Sequence, residues 1–193
     1  MIAFMRYARY GNRNLQAVLG VGGAVSGSSA TMTGTSNATG IADTKNETSK
    51  YVCGLGLEGV FGGIYEWVKG VEINNRVWKI TDPDGATRNV NAGTEDGWIT
   101  NVAAENGPFF DMVPTKVGGS ETTHYSDYYW QSSGGPLVLA RSCYDSFTDG
   151  GVAFADASHV ASNANSDCGS RLAFRGVIRE AASVSAFKAL SVL

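Results

Sequence analysis

The sequence predicts an α+β domain of short strands, one or two helices and long ordered loops. Three observations lead there. The chain has 193 residues, enough to bury one core. It carries 25 glycines and only 17% charged residues, against roughly 25% charged in ordinary domains, which favours short strands and loops over a helical bundle. Apolar residues recur at helical spacing near the N-terminus and alternate at strand spacing further on.

Taken in order, residues 2–19 read as a helix, because Ile2, Met5 and Ala8, then Leu15, Val18 and Leu19, recur every three or four positions. Gly11-Asn12 interrupts the run at about 1 kcal/mol relative to alanine, so the helix ends or kinks there. Residues 20–50 are Gly, Ser, Thr and Asn with almost no large apolar side chain, and read as a long loop. Gly59 to Gly70 is densely apolar, with Phe61, Ile64, Tyr65, Trp67 and Val68. Arg76 to Thr81 alternates apolar and polar residues as a half-buried strand does. Asp82-Pro-Asp-Gly is then a turn signal, with Thr87 to Val90 returning as the second arm of a hairpin. Further strands are expected at Trp98–Thr100, Leu137–Ala140, Val152–Ala155 and Leu172–Val177, and a short helix at Ser183–Leu190. One domain over residues 1–177, followed by a docking tail over 178–193, is the resulting organisation.

Several function classes lose support on composition. The net charge is −3 and no basic run exceeds two residues, so the Lys/Arg footprint that nucleic acid requires is missing. No apolar stretch reaches the roughly 20 residues needed to span a bilayer. The start, Met1-Ile-Ala-Phe-Met-Arg, lacks the basic-then-apolar order of a signal peptide, which favours release by lysis or by a dedicated machine. The three cysteines, Cys53, Cys143 and Cys168, form no CxxC pair, so no zinc site is indicated. Reduced, buried thiols are expected rather than a Cys143–Cys168 disulfide. No metal or other cofactor is expected.

Catalytic constellations are thin. His124 and His159 are the two histidines, and a thiolate–imidazole pair of His159 with Cys143 or Cys168 has no local context to support it. Asp82/Asp84, Glu95/Asp96 and Asp145/Asp149 are carboxylate pairs, but sequence spacing does not set the separation that glycoside hydrolysis needs. Glu66, between Tyr65 and Trp67, reads as a partly buried acid holding a loop backbone rather than a catalytic one. The chain is expected not to be an enzyme.

The segment from Tyr125 to Asp167 stands out instead. Its Tyr, Trp and Phe residues are interleaved with Asp, Asn, Gln and Ser, the mixture used by antibody-like binding loops. The competing reading places about half of these aromatics in the core. The residues assigned to a ligand-binding face are Tyr128, Tyr129, Trp130, Gln131, Tyr144, Asp145, Phe147, Asp149, Asp156, His159, Asn163 and Asn165.

Gly62-Gly-Ile-Tyr-Glu-Trp-Val resembles the GN(V/I)WEW signature of the formylglycine-generating-enzyme-like branch of the C-type-lectin fold. Leu139-Ala-Arg-Ser-Cys-Tyr resembles the strand that follows in that branch, and Asn165-Ser-Asp-Cys-Gly-Ser-Arg-Leu-Ala-Phe its closing strand. Gly56 to Val71 is similar to a segment of phage tail and virion proteins, and Asn14 to Gly20 resembles the end of the family's first helix. The resemblance implies a C-type-lectin-like fold and a chain that is the C-terminal part of a longer fibre protein. The paired catalytic cysteines of the generating enzyme and the calcium-dependent sugar motifs of animal lectins have no match, so neither activity is implied. What the resemblance does imply is a virion-surface domain, on a tail fibre or the capsid exterior, that binds a host-surface glycan or protein as a homo-oligomer. The alternative is a capsid-decoration or head-fibre subunit whose partners are other virion proteins.

Overall fold

The computed structural model describes residues 51–54, 57–62, 64–103, 112–123, 125, 127–142, 150–151, 153–165, 168–169 and 183. The helix expected at 2–19, the loop at 20–50, the strand at 172–177 and, Ser183 aside, the terminal helix and tail lie outside them.

Eleven strands and no helix make up the described residues: β1 (Tyr51–Gly54), β2 (Leu57–Gly62), β3 (Tyr65–Asn74), β4 (Val77–Thr81), β5 (Thr87–Asn91), β6 (Gly97–Val102), β7 (Pro114–Val117), β8 (Tyr128–Gln131), β9 (Leu137–Arg141), β10 (Ala155–His159) and β11 (Cys168–Gly169). The α+β, C-type-lectin-like expectation is therefore corrected. The architecture is a curled mixed sheet, a half-barrel, with strand order β5-β4-β3-β9-β10-β8-β6-β7 and β11 beside β3, plus the separate pair β1-β2. Only β10–β8 and β11–β3 run parallel. The physical reason is the period-two burial of strands such as β4 and β5, which a helix cannot reproduce.

The hairpin forms where the turn signal placed it. Asp82 accepts from Gly85 N and donates to Ala86 O, the Asp84 carboxylate receives Ala86 N, and Arg88 pairs with Asp82. Gly85 sits at φ 89°, a conformation that costs a side chain dearly. The expected strands at 98–100 and 137–140 fall within β6 and β9. The strand expected at Val152–Ala155 is displaced, and β10 begins only at Ala155. Before it, Phe154 N bonds Gly151 O at 3.3 Å and Ala153 N bonds Asp127 Oδ2 at 2.7 Å, which makes this stretch a turn.

The main core lies on one face of the sheet. Ile73, Trp78, Ile99, Val113, Tyr125, Tyr129, Leu137, Leu139, Ala155 and Ala157 are buried together there. Arg141 is buried among them. Its Nη1 donates to the carbonyls of Ala153 and Phe154, both at 2.8 Å, and its Nη2 to Met112 O at 2.9 Å. Burial lowers the Arg141 pKa to about 10, and the Asp127 carboxylate opposes that shift. A smaller cluster on the other face consists of Tyr65, Ala140 and Phe154, with Trp67, Tyr128 and the half-buried Cys168 packed around it.

Two predictions concern this interior. A Cβ added at Gly151 would fall on the Asp127 carboxylate. Gly151→Ala is therefore expected to cost about 1–3 kcal/mol, read as a lower urea midpoint at unchanged slope; an unchanged midpoint would show that Asp127 does not pin this turn.

Burial also pushes the Tyr129 phenol up to about 12. Between the unfolded value near 10 and about 12 the unfolded chain loses this proton while the folded chain keeps it. That contribution to stability is thus complete below pH 10 and is lost as pH rises through the window. Tyr129→Phe is expected to lose less stability over that range than the parent protein. Arg141 titrates in the opposite sense and interacts with Tyr129, so the difference between the two denaturation curves reads the Tyr129 proton together with its coupling to Arg141. Parallel pH profiles would contradict the assignment.

Candidate functional site

The face opposite the main core carries the exposed Trp130. Alternation along β8 sends Tyr128 and Trp130 one way and Tyr129 the other. Tyr128 stands opposite Trp98 of β6 in register. Their rings meet edge to face with centroids 5.6 Å apart, and Tyr128 and Trp130 lie 4.7 Å apart at 35°. The result is a three-ring ladder, Trp98–Tyr128–Trp130, across two strands. Trp98 and Tyr128 are half-buried, while Trp130 is 39% exposed. Among the described residues only Trp130 and Val160 are large apolar side chains exposed to this degree.

The register continues the row. Trp130 is opposite Asp156 of β10, Asp156 is opposite Ala140 of β9, and Ala140 is opposite Trp67 of β3. Asp156 is buried, and its Oδ1 accepts from Ser158 N at 2.9 Å and from Ser158 Oγ at 2.6 Å. Its Oδ2 lies 3.3 Å from His159 Nε2, within ion-pair reach but off hydrogen-bond geometry. His159 Nδ1 meets Asn163 Nδ2 at 2.9 Å. The imidazole is flanked by Tyr65 (centroids 5.3 Å) and Trp67 (5.6 Å). Both ring nitrogens are thus turned to Asp156 and Asn163.

The sequence-assigned residues therefore separate. Tyr128, Trp130, Asp156, His159 and Asn163 come together on this face, and Asn165 follows as an exposed residue beyond β10. Tyr129 is corrected to the core, where it is fully buried beside Trp78. Gln131 is a brace: its side chain accepts from Arg76 Nε at 2.5 Å and donates to Thr94 O at 2.8 Å, while its backbone N donates to Asp96 Oδ1 at 3.0 Å. Tyr144, Asp145, Phe147 and Asp149 lie outside the described residues. Glu66 is half-buried in β3, opposite Arg141 of β9.

Trp98, Trp67 and Tyr65 were not assigned to the site from sequence. Trp98 reads as an ordinary strand residue until its register against Tyr128 is known. Trp67 and Tyr65 belong to the Glu-Trp motif, whose signal was family resemblance rather than placement. Chemically, the face offers flat apolar rings beside fixed hydrogen-bonding groups, which suits adhesion through stacking. Among the described residues, no group of three or more His, Cys, Asp or Glu side chains is placed to hold a metal ion. Compared with protein-family models, curated proteins and solved structures, the chain matches none of them.

Proposed function

We propose that this chain is a non-enzymatic binding domain, displayed on a virion exterior, that attaches to a host-surface ligand through the Trp98–Tyr128–Trp130 face. The observation that carries the reading is the ladder itself. A tryptophan held 39% exposed against Tyr128, which Trp98 braces in turn, forfeits burial that the fold otherwise exploits for its aromatics. Rigid aromatics at a surface recur as interface anchors. The virion setting rests on the likeness of Gly56–Val71 to phage tail and virion proteins. Several copies on one particle would turn weak single contacts into avidity.

One observation favours a structural subunit as the second reading. β5 and β7 are the ends of the sheet, and among the described residues no strand pairs with their outer edges. The two readings part in one experiment. Protein presented multivalently on beads is incubated with intact bacterial cells and their extracted surface glycans, and separately with purified capsids and tails. Saturable retention on cells or glycans supports attachment. Co-sedimentation with virion parts alone replaces it with the structural reading.

A further inference from the structure

Resting on that reading, we infer that the Trp130 platform takes a cationic ligand group, an alkylated ammonium or amine borne by the host surface, rather than a neutral sugar face. The inference comes from what surrounds the exposed indole. On one side Trp130 is in register with Asp156 of β10. On the other, the pairing of Gly97 with Tyr129 and of Trp98 with Tyr128, continued by one residue, brings Asp96 opposite Trp130. The hydrogen bond from Gln131 N to Asp96 Oδ1 at 3.0 Å ties that carboxylate to β8 one residue beyond Trp130. Asp96 is exposed, as is its neighbour Glu95.

No Lys or Arg occupies the register positions flanking Trp130. The basic residue nearest in this network, Arg76, is tied through Nε to Gln131, whose side chain alternates to the opposite side of β8 from Trp130. An indole face attracts cations through its quadrupole, and the exposed Asp96 carboxylate tied to β8 adds to that field, while the carboxylate of Asp156 is buried against Ser158 and His159. One face of Trp130 stacks on Tyr128. The arrangement is therefore a one-sided platform with one exposed acidic neighbour, open to a compact group carrying positive charge on an apolar shell.

The test uses choline chloride and its uncharged isostere 3,3-dimethyl-1-butanol, with cellobiose as the neutral sugar probe. Binding is followed by the shift of the indole N–H resonances in the full chain. Choline is expected to give a saturable shift that the isostere and cellobiose do not. Asp96→Asn is expected to weaken choline by about two- to fivefold, and Trp130→Ala by about tenfold or more. Because Asp96 also braces Gln131, Glu95→Gln serves as a second charge variant and is expected to weaken choline in the same direction. Equal shifts from choline and its isostere, or a response to cellobiose alone, would overturn the inference. Host binding that needs Trp130 but is not displaced by choline would overturn the cationic ligand while leaving the attachment face standing. Host binding indifferent to Trp130→Ala would remove both.

Discussion

Arg141→Met is expected to destabilise the fold by about 3–5 kcal/mol, the cost of breaking a buried charge arrangement by removing one partner. The guanidinium ties three carbonyls from two segments, Ala153 and Phe154 ahead of β10 and Met112 ahead of β7. It also lies 5.9 Å above the Trp78 ring and within the field of the buried Asp127. Removing it leaves those carbonyls short of a donor and Asp127 without its nearby positive charge. Methionine fills comparable apolar volume, so the loss is electrostatic rather than a cavity. Arg141→Lys is expected to recover only part of the deficit, because one ammonium lacks the planar fork that reaches two directions at once. Urea denaturation of the three proteins checks this. A methionine variant as stable as the parent would mean that the sheet does not depend on this anchor.

Trp130→Ala is expected to lower attachment by about thirtyfold per site, roughly 2 kcal/mol, the range of an interface anchor. The fold should tolerate the change. Trp130 projects from β8 away from the main core, and its partner across the sheet, Asp156, keeps its bonds to Ser158. Val160→Ser is the matched control: it removes the other large exposed apolar side chain, at 42%, outside the ladder. It is expected to leave attachment unchanged. Equal losses from both variants would point to general surface hydrophobicity instead of a defined face.

How much of this was legible in the sequence depended on the range of the interactions involved. The β4–β5 hairpin was readable because Asp82-Pro-Asp-Gly encodes its turn within a few residues. β6 and β9 were readable from local apolar runs. The fold class was not. Alternation shows that a segment is a strand but does not say which strand it pairs with, and here β3 joins β9 and β8 joins β10 across long separations. The role of Arg141 was hidden for the same reason, since its acceptors stand 12, 13 and 29 residues away.

The candidate site was half legible. Composition marked Tyr128 to Gln131 as one surface, but a strand divides such a run between two faces. Tyr129 went to the core and Gln131 to a brace, while Tyr128 and Trp130 stayed outside. Asp156, His159 and Asn163 came together because a register shift in β10 between Asp156 and His159 turns the imidazole toward Tyr65 and Trp67. Such an irregularity leaves no mark in the pattern of residue types.

On the proposed function, the Trp130 face is where this protein meets its target. Oxidative footprinting of the indoles tests it most directly, comparing free protein with protein bound to intact host cells. Trp130 is expected to be oxidised readily in the free protein and protected in the bound one, while the buried Trp78 stays unmodified in both. Binding that persists with Trp130 oxidised to the same extent as in the free protein would contradict the claim.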